Sequence, residues 1–337
     1  NYLSMQCSVT GMSNLIIATS SFQSQVSDLL PCNNSSKSCL TYALLKSYGL
    51  LHCFDRVIEN PWCTRKDMEQ FHESEYLDVL LDGKYDSVLD GDEDESSWSH
   101  IAQLAVKSSR FCDNFEKSSW FTTRKALYSY YISEIQSEGY TNDKRYTSGN
   151  KRSRWEALID DECSSDSEDN ESLNSHTKSF LKEQQQQIIL NQTRGKLEKL
   201  GLLYDCPIFS YLPMYCQVIT GATLSLLKFL RKDLRTIAIN WDGGRHHSFK
   251  SRASGFCYIN DIVLAIQKLR RNFSNISYVD FDLHHGDGVE RAFQYSKNVQ
   301  TISLHNHEPG FFPGTGSMES SQDGHSIINI PLRHGAD

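Results

Sequence analysis

The chain has 337 residues, a formal net charge of −8 and a sequence pI of about 5.8. An acidic chain without a basic stripe excludes the class of proteins that bind nucleic acid directly through its phosphates. The sequence contains no apolar run of about 18 residues, so no membrane span is predicted. Its first residues lack the pattern of a secretory signal.

Cysteine usage favours an intracellular protein. Ten cysteines are spread along the chain. No two of them form a C-x-x-C pair, so neither a zinc ribbon nor a redox dithiol is predicted. Reduced thiols in an intracellular compartment are the simpler interpretation.

The first part of the domain is predicted over residues 12–82, and residues 1–11 are expected to form an extension outside it. Leu15–Ala18 is a short apolar run that predicts a buried strand. Apolar residues at helical spacing predict helices over Ser38–Leu51 and Met68–Leu81.

Residues 83–200 differ in composition and are predicted to be an insertion. Asp90–Glu95 and Asp160–Glu171 are acidic runs, and the second is rich in serine and nearly devoid of apolar groups. Such a segment buries too little surface to offset its ordering entropy, so we expect the insertion to be partly disordered. Ser179–Leu200 is predicted to form a polar helix.

Residues 201–337 are predicted to form the core of the domain. Helices are predicted within Ile219–Leu230 and Gly255–Arg270, and they alternate with strands. The predicted strands are Thr236–Asn240, Ile276–Phe281 and Gln300–Leu304. This alternation predicts an α/β domain with a mostly parallel sheet flanked by helices on both faces. Ligands of such sheets bind at the carboxyl ends of the strands.

A cluster of carboxylates and imidazoles lies in Tyr278–Val289. A strand points alternate residues to one face, so Asp280, Asp282 and His284 can converge. Carboxylates and imidazoles are ligands that Zn²⁺ accepts. By itself, this pattern fits a strand end with capping carboxylates equally well.

Two further polar clusters follow predicted strands. His246 and His247 come after two glycines within Asn240–Ser248, and Pro309–Gly316 places two phenylalanines in a turn-rich loop. Alone, such a histidine pair is more often a hydrogen-bonded structural pair, and such a loop is more often a packed turn. The occurrence of all three clusters in order favours a functional site.

These blocks resemble the signature of class I histone deacetylases, and the variant is similar to the fungal Hos-type deacetylases. The resemblance is strong from Tyr204 to Pro331, weaker over 12–82 and absent over 83–200. It implies an arginase/deacetylase-type fold. The matching blocks are Asp205–Met214, Asn240–Asp261, Tyr278–Val289 and Pro309–Gly316.

The resemblance implies a catalytic zinc ion with Asp282 and His284 as two of its three protein ligands. The third ligand of the family, an aspartate, and its oxyanion-stabilising tyrosine are expected further toward the C-terminus than Asp337. The chain is therefore expected to be incomplete at its C-terminus, and by itself to be inactive.

The resemblance also assigns the remaining site residues. His247 matches the general base and acid, and His246 supports it. Asp280 and Asp287 match the carboxylates that orient these two rings. The residues that match the substrate-binding groups are Phe256 and Phe312 as tunnel walls, Gly255 as a carbonyl acceptor and Asp205 as a rim carboxylate.

The family also binds monovalent cations, usually K⁺. The inner site is matched by Asp280, Asp282, His284, Ser303 and Leu304. The second site is matched by Phe293, Ser296 and Val299.

The implied function is zinc-dependent hydrolysis of N6-acetyl-lysine, with release of acetate. The substrates would be histone tails or other nuclear proteins such as cohesin. The protein would be located in the nucleus and also in the cytoplasm, and its partners would be corepressor subunits. One alternative is an amidohydrolase of small molecules, such as acetylpolyamines, or an arginase-like ureohydrolase. Another is a non-enzymatic corepressor or scaffold that docks partners through Asp160–Glu171.

Overall fold

The computed structural model describes residues on both sides of the predicted insertion and leaves out most of the insertion itself. The described residues are 14–30, 32, 37–59, 61–81, 191–209, 212–333 and 335. Within these ranges, no helix is both long enough and apolar enough to cross a membrane. Of the predicted insertion, only residues 191–200 are described; residues 191–199 are helical, within the predicted polar helix.

The N-terminal part begins with a strand and two helices that the sequence predicted only in part. Strand β1 and helix α2 were expected, whereas α1 and β2 were missed. Gly49, with φ of +66°, follows the end of α2 and separates it from a 3₁₀ turn, so the predicted helix over Ser38–Leu51 is shorter than expected. The elements are β1 (Asn14–Ala18), α1 (Ser21–Ser27), α2 (Lys37–Ser47), a 3₁₀ helix (Leu50–Cys53) and β2 (Arg56–Ile58).

The predicted helix over Met68–Leu81 is wrong, because the structure has two helices there. Helix α3 spans Arg65–Met68 and α4 spans Ser74–Leu81. Between them the amide of Glu73 donates to the carbonyl of Lys250 (3.0 Å), a bond that continuous helix would exclude. The tertiary contact therefore outweighs the local helical spacing.

The second part alternates strands and helices as predicted, with shifted boundaries. The strand β6 and the helix α7 were not predicted as elements. The elements are α5 (Leu212–Leu226), β3 (Thr236–Asn240), α6 (Asp261–Leu269), β4 (Ile276–Asp280), α7 (Asp287–Phe293), β5 (Val299–Asn306) and β6 (Ile327–Leu332), with 3₁₀ helices at Leu227–Phe229 and Glu319–Gln322.

All the described strands pair in parallel, which confirms the predicted α/β class. They form two three-stranded sheets, in the orders β2-β1-β3 and β4-β5-β6. Helix α5 packs against β1, β3 and α6, and α7 packs against β5. The polar clusters follow the carboxyl ends of β3 and β4, and the register pairs Asp280 with Ser303 on β5.

His72 joins the break between α3 and α4 to the second part of the domain. The side chain is buried. Its Nε2 accepts from the amide of Asn260 (3.0 Å), so Nδ1 carries the proton and donates to the carbonyl of Lys250 (3.2 Å). Burial lowers the pKa of His72 to about 4, because the charged ring loses its hydration.

We predict that His72 makes stability depend on pH. Its pKa is depressed in the folded protein, so between pH 6.5 and 4 the unfolded chain takes up a proton that the folded chain does not. The free energy of unfolding should therefore fall by about 3 kcal/mol as the pH is lowered from 6.5 to 4. Urea denaturation at several pH values should show a smaller fall for His72→Gln, whereas the exposed His52→Gln should behave like the wild type. Equal pH profiles for wild type and His72→Gln would refute this assignment.

Candidate active site

The loop after β3 is held in place by a buried carboxylate on α6. Asp261 accepts hydrogen bonds from the amides of Gly244 (3.1 Å) and Arg245 (2.8 Å), and from the hydroxyl of Thr223. Gly243 lies so close to this carboxylate that a side chain there would clash with it. The loop is thereby fixed where it delivers the two following histidines.

Each of these histidines is paired with a carboxylate from the region of β4. His246 Nδ1 lies 2.7 Å from Asp280 Oδ2, and His247 Nδ1 lies 2.7 Å from Asp287 Oδ1. Both imidazoles are buried, and their ring centroids are 3.9 Å apart. Because a carboxylate only accepts, Nδ1 of each ring donates, and Nε2 is left for other chemistry.

The two rings have different affinities for a proton. Burial lowers the pKa of His246, but the hydrogen bond and charge of Asp280 outweigh burial and raise it above the usual value. For His247, burial lowers the pKa and the neighbouring His246 lowers it further; together they outweigh the hydrogen bond that His247 donates to Asp287, so the pKa is below the usual value. His247 is therefore the ring that is more readily neutral, with Nε2 unprotonated.

Asp282 and His284 place two metal-binding atoms beside each other. Asp282 Oδ1 lies 3.0 Å from His284 Nδ1, and both side chains are partly exposed. Two ligands of a tetrahedral zinc ion lie about 3.3 Å apart, so this pair fits one metal ion. Within the described ranges, no group of three or more metal-binding side chains occurs.

Aromatic rings enclose the space in front of this pair. Phe311 stacks on His284, with ring centroids 5.1 Å apart, and Phe312 packs edge-on against His247 at 4.9 Å. Phe312 and Phe256 remain 41% and 47% exposed, so both rings are open to solvent.

The opposite side of this space is a tight turn at Gly255. Its φ is +53°, and a Cβ there would clash with the ring of His247. The amide of Gly255 donates to Asp205 Oδ2 (2.7 Å), which joins the predicted rim carboxylate to the segment that carries Phe256. The structure thus brings the two imidazole–carboxylate pairs close to Asp282, His284, Phe312, Gly255 and Asp205, and Phe256 directly follows Gly255 in the chain.

Sequence reasoning missed several residues that support the site. Asp261 and Thr223 anchor the histidine loop, and the hydroxyl of Tyr278 donates to Asp280. Phe311 was noted only as part of an aromatic pair. A carboxylate in the first turn of a predicted helix, as at Asp261, was the one available signal, and it also fits an ordinary favourable charge at a helix N-terminus.

Comparison with known proteins agrees with the fold. A sequence model of the Histone deacetylase domain matches residues 30–337, so the chain belongs to the histone deacetylase family. Within that family it is similar to Histone deacetylase HOS1 of Saccharomyces cerevisiae, with 47% identity over 344 aligned residues. The alignment covers 97% of this chain and 64% of the yeast protein. The predicted membership of the class I family and its Hos type is confirmed.

Similarity to other relatives is confined to a shorter stretch. Histone deacetylase 8 of Xenopus laevis is 51% identical over 138 residues, 40% of this chain and 42% of that protein. Histone deacetylase 1 of Homo sapiens is 43% identical over 151 residues, 44% of this chain and 31% of that protein. The chain thus spans less than two thirds of the length of these relatives.

We predict that Asp261 is required for stability as well as for the position of the histidine loop. Asp261→Asn keeps the shape but turns an amide group toward backbone donors, leaving at least one buried donor without an acceptor. The free energy of unfolding should fall by about 2 kcal/mol in urea denaturation. The exposed Asp323→Asn is the matched control and should change it little. An unchanged midpoint for Asp261→Asn would contradict the prediction.

Proposed function

We propose that the protein is a zinc-dependent hydrolase that removes the acetyl group from N6-acetyl-lysine in proteins. The observation that carries this proposal is the position of two imidazole–carboxylate pairs beside Asp282 and His284. A hydrolase needs a base for water, a site for a Lewis acid and a channel for the substrate. This arrangement supports all three, and membership of the histone deacetylase family points to acetyl-lysine.

His247 would move the protons of the reaction. Zinc held by Asp282 and His284 would act as a Lewis acid toward the acetyl carbonyl and acidify the attacking water. Asp287 holds Nδ1 of His247, so Nε2 can take the proton from water and later give it to the lysine amine. His246, which keeps its proton more strongly, would stabilise the negative charge that develops on the substrate.

The tunnel walls would grip the acyl-lysine side chain. Phe256 and Phe312 offer apolar faces to the lysine methylenes, and the carbonyl of Gly255 would accept the acetamide N–H. Asp205 would accept backbone N–H groups of the bound peptide at the rim. A long aliphatic stem that ends in a small amide fits such a channel between two aromatic rings.

We also propose that the protein binds two monovalent cations, with K⁺ the expected ion. At the inner site, Asp280 at the end of β4 pairs in register with Ser303 within β5, and the Ser303 hydroxyl donates to His305 Nδ1 (2.9 Å) and so keeps lone pairs for a cation. The remaining ligands would be oxygens of Asp282, His284 and Leu304. At the second site, Ser296 Oγ is buried without a hydrogen-bond partner. Phe293 and Val299 would complete it.

The substrates we propose are acetylated lysines of histone tails and other nuclear proteins, among them cohesin. The protein would then act in the nucleus as a chromatin regulator that represses transcription, together with corepressor subunits. The basis is the family, whose relatives are named for histone deacetylation. The acidic composition also suits basic histone tails.

We predict that Asp282→Asn abolishes both zinc binding and deacetylation. An amide ligand lacks the charge that binds the cation, so zinc content and acetate release from an acetyl-lysine histone peptide should fall together. The protein should be expressed from its complete reading frame, with the exposed Asp323→Asn as the matched control. Activity that survives Asp282→Asn or zinc chelation would refute the proposal. Faster turnover of acetylspermidine than of peptide would instead favour the small-molecule hydrolase.

We predict that Asp287→Asn lowers kcat by about 10²-fold or more and leaves KM nearly unchanged. An asparagine cannot fix the proton on Nδ1 of His247, so the ring loses the tautomer that accepts a proton at Nε2. Asp287 lies behind the ring and does not line the tunnel, so substrate binding should be preserved. Steady-state kinetics with an acetyl-lysine peptide measure both constants. A large rise in KM with unchanged kcat would contradict this role.

A further inference from the structure

Besides His246 and His247, the buried His285 also meets a carboxylate, and this pair has no part in the proposed reaction. His285 Nε2 lies 3.1 Å from Glu290 Oε2 on α7, and the same oxygen accepts from Asn329 Nδ2 on β6 (2.8 Å). His285 is buried, with 1% of its surface exposed. Because this pair takes no part in the proposed reaction, its burial needs another explanation.

The other side of His285 faces the loop that carries the aromatic tunnel residues. Its Nδ1 lies 2.8 Å from the hydroxyl of Thr315. Next to it, the fully buried His305 lies 2.8 Å from the carbonyl of Gly316 through Nε2 and 2.9 Å from Ser303 Oγ through Nδ1. The two rings lie 4.6 Å apart and form a platform beneath the end of this loop.

The direction of each hydrogen bond follows from what the partners can do. Carboxylate and carbonyl oxygens only accept, so Nε2 donates in both rings: to Glu290 from His285 and to Gly316 from His305. In the neutral rings, Nδ1 then accepts from the hydroxyls of Thr315 and Ser303. Every nitrogen of this pair is engaged, and neither ring keeps one for proton transfer.

The loop has little room to settle in another position. Gly316 has φ of +87°, and a Cβ there would clash with both His285 and His305. Four residues before it, Phe312 packs on His247, and Phe311 stacks on His284. A shift of Thr315 and Gly316 would therefore be passed to the tunnel wall and to a zinc ligand.

We propose that Glu290, His285 and His305 are positioning residues that set the width of the acyl-lysine tunnel through Thr315 and Gly316. The inference rests on the proposed function for its kinetic consequence, but the hydrogen bonds themselves do not. The three residues hold the loop from α7, from the segment between β4 and α7, and from β5, so the position of Phe312 is tied to the sheet.

Thr315 offers the sharpest test, because it is exposed and its hydroxyl can be removed without a change of shape. Thr315→Val should speed amide hydrogen exchange in the loop 309–316, raise KM for an acetyl-lysine peptide about tenfold and leave kcat within about twofold. Thr315→Ser keeps the hydroxyl and should restore both readouts. Thr41→Val on α2 is the matched control and should change neither. Gly316→Ala should have a larger effect in the same direction.

The two readouts separate this inference from the proposed function. Loop exchange and KM unchanged in both Thr315→Val and Gly316→Ala would overturn the positioning role. An equal loss in Thr315→Ser would also overturn it, because the hydroxyl would then not be what matters. If Thr315→Val speeds loop exchange but the wild-type protein shows no deacetylase activity, the positioning role is supported and the proposed function alone is overturned.

Discussion

The hydrogen bond between His246 and Asp280 joins the two sheets of the domain. His246 follows β3 of one sheet, and Asp280 ends β4 of the other. Burial would raise the pKa of Asp280, but donors from His246, the Tyr278 hydroxyl and the Asp282 amide outweigh it, so the pKa lies below its usual value. The carboxylate thus remains ionised in a buried place, where it holds the histidine that follows one sheet and accepts from the amide of Asp282 beside the other.

The electrostatics of the site follow from this arrangement. Two imidazoles with centroids 3.9 Å apart repel each other strongly when both are charged, because the buried site screens charge poorly. The ring with the stronger carboxylate environment, His246, takes the proton first, and this charge lowers the pKa of its neighbour. One carboxylate therefore contributes to the division of roles between the two histidines.

The sequence could predict those parts of the site in which several polar side chains lie within one short segment. Asp282 and His284 are two positions apart, so they lie close together in sequence, but the strand alternation that predicted their convergence does not reach them because β4 ends at Asp280. Asp261 lies 16 positions from the Arg245 amide it holds, and Thr315 lies 30 positions from His285. Such pairings depend on how strands and helices pack, which residue spacing does not encode. The break between α3 and α4 has the same cause, because it depends on the distant Lys250.

Of the imidazole–carboxylate pairs in the described residues, three contain a buried ring, and they differ in which ring nitrogen meets the carboxylate. His246 and His247 meet their carboxylates through Nδ1, so Nε2 of each ring remains available. His285 meets Glu290 through Nε2 and uses Nδ1 for Thr315, so it has no nitrogen left to transfer a proton. A buried histidine beside a carboxylate is therefore not by itself evidence of catalysis. The nitrogen that remains available separates a ring that could transfer a proton from a ring whose two nitrogens both hold other groups.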